Sequence, residues 1–358
     1  MEKRTEKLSR ILNELNIDGL FITDLYNLRY FTGFTGTTGV ALATKNGNFF
    51  FSDFRYKTQA TKQVTEMGFE FVEVSRGSLQ TVGEYIKKFG LKNVGFEDIN
   101  VSFSLYQTIK DIFKVELVPV GNKLVMERMV KSDEEIALIK KAVEISDAAF
   151  SEALKIIKEG VSEKEVSSYM EYIQRKLGAD DRSFTTIFAS GYRSAMPHGV
   201  ASDKKIQKEE FITMDFGAYY EGYVSDITRT VYYGNNITDR HKEIYNTVLE
   251  AQLLGIETIK EGVMSDEVDK VVRNFFNEKG YGKYFGHGLG HGIGAEIHEL
   301  PYLSSASQIE LKENMVVTSE PGLYFDGWGG VRIEDDVVVK KDGREVLNKS
   351  NKKLIILS

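Results

Sequence analysis

The chain has 358 residues, a net charge of −7 and no cysteine, so it can form no disulfide, thiolate nucleophile or zinc–thiolate site. Catalysis is left to oxygen and imidazole groups. The acidic balance argues against a nucleic-acid surface, and no apolar run nears the roughly 18–20 residues of a membrane span. The charged start Lys3-Arg4-Thr5-Glu6-Lys7 has no apolar stretch behind it, so no secretory signal is expected and a cytoplasmic location follows.

Residues 1–122 alternate β-rich runs with helical stretches. Gly19–Thr23, Val40–Ala43, Asn48–Ser52, Phe69–Val74 and Val94–Glu97 read as strands, with helices over 4–16, 55–67, 78–89 and 104–113. Phe49-Phe50-Phe51 reads as a buried strand rather than a peptide groove. This is an α/β domain with a mixed sheet. Pro119 and Gly121 break the pattern, residues 123–131 read as a linker, and Ser132-Asp133-Glu134-Glu135 is a capping box that opens a second domain over 132–358. Ser162 with Glu165 is another capping box, and further helices are expected near 240–259 and 265–279.

The second domain repeats itself. Ile157-Lys158-Glu159-Gly160-Val161 returns as Ile259-Lys260-Glu261-Gly262-Val263, and the run from Asp215 to Tyr223 returns from Glu320 to Trp328 as acid, Gly, aromatic pair, acid, Gly and aromatic. A duplicated half-domain with helix pairs outside and hairpins inside is implied. If the first turn centres between Tyr220 and Glu221, Asp215 opposes Asp226; if the second centres on Gly327, Glu320 opposes Glu334. Directly opposed residues lie about 4.5–5.5 Å apart at Cβ. Four carboxylates that close need retained protons or cations between them.

The third ingredient is the segment Phe285–Glu299, which holds His287, His291 and His298, three of the five histidines. Its glycines do not fit a nucleotide loop, since no G-x-G-x-x-G spacing and no Gly-Lys-Ser/Thr is present. One imidazole with four carboxylates suits a pair of Mn²⁺, Co²⁺ or Fe²⁺ ions, with Zn²⁺ next and Mg²⁺ disfavoured by the nitrogen ligand. Two such ions roughly 3.5–4 Å apart can hold a bridging hydroxide and polarise a carbonyl, so hydrolysis is the expected reaction. Residues two apart on a strand share a face, which aims Arg332 into the site with Glu334. There it could pair with a carboxylate ligand, grip a substrate carboxylate, or simply neutralise the acids.

Together, the acid hairpin ending Ser225-Asp226-Ile227-Thr228-Arg229-Thr230, the three-histidine segment, Ser319-Glu320-Pro321-Gly322 and Arg332-Ile333-Glu334-Asp335-Asp336 resemble the creatinase/aminopeptidase P/prolidase family of pita-bread metallopeptidases. Upstream, Tyr30-Phe31-Thr32-Gly33-Phe34-Thr35-Gly36 and Asp53-Phe54-Arg55-Tyr56 resemble the family's N-terminal domain. The resemblance implies an α+β fold in which a creatinase-like domain precedes a pita-bread domain with a curved antiparallel sheet. It further implies that Asp215 chelates one metal, that Asp226 and Glu334 bridge two, and that His291 with Glu320 completes the second.

By the same resemblance Glu320 shuttles a proton, His298 bonds the scissile carbonyl, His198 orients the substrate amide, and His287 lines the pocket beyond the cut bond. The implied enzyme removes an N-terminal residue that precedes proline, in the manner of aminopeptidase P and with a metal-bridging hydroxide as nucleophile; Xaa-Pro dipeptidase is the alternative. Methionine aminopeptidase and a non-catalytic peptide-binding module are more distant ones. A homodimer acting on peptides with Pro at the second position, with no nucleic-acid or membrane partner, completes the expectation. Asp335 and Asp336 are expected to face solvent or cap neighbours, His241 to lie on the surface, and Tyr219, Tyr220, Tyr324 and Phe325 to pack within the hairpins.

Overall fold

The computed structural model describes residues 3–75 and 77–358. Chain contacts divide it into two units, Met1–Arg128 and Met129–Ser358. The segment read as a linker contains a helix, Lys123–Met129.

The first unit is built on a six-stranded sheet in the order Glu70–Glu73, Gly47–Ser52, Val40–Thr44, Gly19–Ile22, Asn93–Phe96, Glu116–Pro119. Gly19–Ile22, Val40–Thr44 and Gly47–Ser52 pair antiparallel, and the remaining contacts are parallel. Alternation along Gly47–Ser52 sends Phe50 into one core with Leu20 and Ile22, and Phe49 and Phe51 into another with Phe21 and Val94. That strand is buried on both faces, as its composition demands. One helix, Leu25–Thr32, was not expected: Asp24 accepts a hydrogen bond from the Asn27 N–H and Gly33 closes the helix at φ 70°.

In the second unit both expected capping boxes form, at Ser132 and Ser162, opening the helices Asp133–Ala153 and Glu163–Lys176. The helices Asp239–Thr258 and Ser265–Glu278 repeat that pair. The duplication extends to the backbone. Gly160 N–H donates to Ile206 and Ile206 N–H returns a bond to Val161 at 2.9 and 2.8 Å; Gly262, Leu311 and Val263 exchange the same two bonds at 2.9 Å each.

Two antiparallel-based sheets carry the hairpins. In one, Glu210–Phe216 lies between Ile187–Ser190 and Ile227–Tyr233, with Ile356–Leu357 at the edge. In the other, Gly290–Gly292 lies between Glu299–Leu303 and Val316–Ser319, followed by Asp335–Lys340 and Gly343–Val346. The fold is α+β, with mixed helices and antiparallel sheets. Among the described residues no helix is long and apolar enough to cross a membrane.

The two hairpin registers differ from each other in how they meet expectation. In the second, Gly322–Phe325 pairs with Gly329–Arg332 about Gly327, and Val316–Ser319 continues the same register against Asp335–Lys340, so Glu320 and Glu334 oppose each other in the gap. In the first, Asp215 opposes Thr228, not Asp226, because the turn centres one residue later, between Glu221 and Gly222. Asp226 therefore lies diagonal to Asp215. The shift of two in partner keeps both acids on one face, whereas a shift of one would have turned Asp226 away.

Candidate metal centre

His291 owes its position to its neighbours in sequence. A Cβ on Gly290 would run into the Thr318 carbonyl oxygen, and one on Gly292 into that of Leu300, so only glycine lets the flanking strands close on the histidine. The His291 Nδ1 lies 3.2 Å from the Gly292 carbonyl, an acceptor only, which makes Nδ1 the donor and leaves the Nε2 lone pair free. Nε2 sits 3.6 Å from Asp226 Oδ2 and 3.5 Å from Glu320 Oε1. Burial, then the neighbouring His298, lowers the His291 pKa to about 3, so the ring is neutral and ready to ligate.

Ligand atoms of Asp226, His291 and Glu334 all lie within 4.8 Å of one another. Asp215 joins through Arg332, whose Nη2 donates to Asp215 Oδ2 at 2.5 Å, whose Nε donates to Thr228 Oγ1 at 3.0 Å and whose Nη1 donates to the Tyr324 hydroxyl at 2.9 Å. Thr228 in turn donates to Glu334 Oε2 at 2.6 Å. The guanidinium thus fixes one oxygen of Asp215 directly and one of Glu334 through a hydroxyl. The Tyr324 hydroxyl donates to His287 Nε2 at 2.9 Å, while His287 Nδ1 donates to the Gly288 carbonyl at 2.7 Å.

The acids are unfavourable as bare charges. Burial, then Glu334 and Asp215, raises Asp226 well above the usual carboxylate range; burial, then Glu334, does the same to Glu320. Glu334 is pushed up to about 8 by burial and then Asp215. Meanwhile Asp215 Oδ1, Asp226 Oδ1 and Glu334 Oε1 are buried with no hydrogen-bond partner among the described residues. Orphaned carboxylate oxygens beside a free imidazole nitrogen fit divalent cations: ions would satisfy the oxygens and stabilise the charges together.

Asp215, Asp226, His291, Glu320, Glu334, His198, His287, His298 and Arg332 all line one cavity of about 330 Å³. The structure brings every residue singled out from the sequence to that cavity. It also adds Phe184, Ile187, Ile297 and Tyr302 to the wall. Tyr324, expected only to pack, bridges Arg332 and His287.

Of the two expectations for Asp335 and Asp336, solvent exposure fails and bonding to neighbouring groups holds: both are fully buried. Their strand lies between Val316–Ser319 and Gly343–Val346 and so has no free edge. Asp335 takes bonds from Arg229 at 2.7 Å, Gln252 at 2.8 Å and Lys352 at 2.6 Å, and Asp336 accepts the Asp226 backbone N–H at 2.9 Å. His241 is half-buried rather than on the surface, its ring 4.9 Å from that of Trp328 and 5.1 Å from those of Phe211 and Tyr232.

A duplicated α+β fold that converges three buried acids, a half-buried fourth and a neutral imidazole on one cavity defines a metal-dependent hydrolase. Residues 137–341 match the model of metallopeptidase family M24, and residues 4–130 match the creatinase/prolidase N-terminal domain. The chain belongs to metallopeptidase family M24, and is a peptidase of the creatinase, aminopeptidase P and prolidase group. It is similar to the solved Xaa-Pro dipeptidase from Bacillus anthracis, at 47% identity and a TM-score of 0.96 over 99% of each chain. It is similar also to the X-Pro aminopeptidase from Thermotoga maritima, at 40% identity and a TM-score of 0.91, covering 99% of this chain and 100% of that one. The Xaa-Pro dipeptidase of Pyrococcus furiosus is 40% identical, over 99% of this chain and its own full length.

Proposed function

We propose that the protein is an Xaa-Pro dipeptidase working with two divalent cations, Mn²⁺ or Co²⁺ before Fe²⁺ or Zn²⁺. The cluster of Asp226, His291 and Glu334, with its orphaned oxygens, carries the metal-dependent part of this reading. Full-length relatives named Xaa-Pro dipeptidase support the dipeptide substrate over the aminopeptidase P activity to which the sequence leaned. In this reading Asp215, Asp226, His291, Glu320 and Glu334 hold the cations. Bound there, the ions supply Lewis acidity toward the scissile carbonyl and lower the pKa of water.

The chain's own groups do the rest. Glu320, starting as the carboxylate, takes the proton released by the attacking water; its raised pKa lets it hold that proton and deliver it to the proline nitrogen as the C–N bond breaks, which returns the carboxylate. His298, with its pKa lowered first by burial, is a neutral ring at pH 7 and donates one N–H to the carbonyl oxygen. His198 orients the substrate, and His287 lines the subsite beyond the cut bond. Arg332 holds Asp215, Tyr324 and Thr228, and its N–H groups beyond those three bonds are offered to the substrate carboxylate.

The test compares Mn²⁺-reconstituted enzyme on an Xaa-Pro dipeptide and on an Xaa-Pro-Yaa tripeptide. Turnover of the dipeptide alone is expected; faster turnover of the tripeptide restores the aminopeptidase P reading. A homodimer is part of the proposal on family resemblance, and light scattering that finds a single 40.5 kDa chain removes it.

A further inference from the structure

The loop from Ser190 to Ser202 carries His198 into the cavity, and both of its ends are fastened to one carboxylate. Glu163, the first residue of the helix Glu163–Lys176, has no exposed surface. Its Oε1 accepts from the Ser190 N–H at 2.8 Å and the Ser190 hydroxyl at 3.0 Å. Its Oε2 accepts from the Ser202 N–H at 3.0 Å, the Ser202 hydroxyl at 2.6 Å and Arg193 Nε at 3.2 Å. One oxygen holds the entry of the loop and the other its exit. Burying a carboxylate without this many donors would be costly, so the loop is bound to that position or the charge is stranded.

The loop's interior is braced from the same base. Arg193, paired with Glu163, reaches across to the Val200 carbonyl at 2.6 Å, spanning the segment that contains His198. Ser194 accepts the Gly330 N–H at 2.8 Å, two residues from Arg332. His198 itself is exposed, and this bracing acts with the loop's own turn bonds, Met196 N–H to the Arg193 carbonyl at 2.8 Å and Gly199 N–H to the Met196 carbonyl at 3.0 Å, to fix where its ring stands.

The duplication supplies a control. Ser265 occupies the matching first position of its helix, equally buried, and bonds Ser307 and Ile309 rather than a histidine-bearing loop. The first half carries a charged clamp where the second uses a hydroxyl.

We propose that Glu163 is a positioning residue, clamping the Ser190–Ser202 loop across its base so that His198 is presented to the substrate. This rests on the reading of His198 as a substrate-orienting group. The experiment is a double-mutant cycle of Glu163→Gln and His198→Ala, measured as kcat/KM on an Ala-Pro dipeptide with Mn²⁺, alongside metal content and thermal melting. Glu163→Gln keeps the size but sets an amide N–H₂ against loop donors. Expected is a loss in kcat/KM on the order of 10- to 100-fold at unchanged metal content, the scale of a misplaced catalytic contact. That loss is expected to vanish in the His198→Ala background.

A loss of the same size in both backgrounds, or none in either, overturns the clamp. If His198→Ala alone turns over at the wild-type rate, the reading of His198 falls and takes the clamp with it. An impaired His198→Ala beside a silent Glu163→Gln overturns the clamp only. Should Glu163→Gln fail to fold, Ser202→Ala removes the 2.6 Å hydroxyl bond to Glu163, together with the 3.2 Å bond that the hydroxyl accepts from the Lys204 N–H, and enters the same cycle with the same criteria.

Discussion

At the scale of single residues, His291 and Glu320 sit 3.5 Å apart and are both assigned to the cations, but only Glu320 is also assigned the proton. His291→Ala removes the nitrogen ligand, and calorimetry with Mn²⁺ should show affinity falling by more than about 100-fold, since even outer partners of metal ligands reach that range. Glu320→Gln keeps an oxygen but cannot carry the proton. Its kcat should fall on the order of 10²- to 10⁴-fold while the fold, followed by circular dichroism, stays intact. Wild-type turnover in either variant would remove that residue from the site.

Elements explain why the sequence was legible where it was. Hairpin parity needs only the period of two, so the acids landed on the right face although the first turn centres one residue later than symmetry suggested. The glycines around His291 announced close backbone approach, and a bulky group there should fail: Gly292→Ala must displace the Leu300 carbonyl, costing about 1–3 kcal/mol and lowering the melting temperature by several degrees. Tyr324 and Asp336 were not legible. Their roles depend on which strand or turn lies across from them, and local pattern does not carry that. The helix Leu25–Thr32 was legible and missed, since Asp24 and Gly33 frame it as cap and stop.

For the whole molecule, the buried acids tie stability to both protons and cations. A carboxyl raised in the folded state, as Glu334 is to about 8, favours folding below its unfolded value near 4.5 and loses that contribution as pH rises to the folded value. Each such group costs about 1.4 kcal/mol per pH unit in that window. Metal-free protein should therefore melt at progressively lower temperature between roughly pH 4.5 and 8, by scanning calorimetry. Saturating Mn²⁺ should flatten the slope. A metal-free protein whose melting temperature rises across that range would show that the acids are not raised.

The backbone exchange repeated at Gly160 and Gly262 has a consequence for assembly. Asp215 and Asp226 come from the first repeat, and His291, Glu320 and Glu334 from the second, so neither repeat alone owns the complete set of proposed ligands. The ions would act as a receipt for joining the two. A chain split within the stretch 235–238 would leave each fragment short of the proposed ligand set, and a gain in cation affinity on mixing would report, in real time, that the halves had found each other.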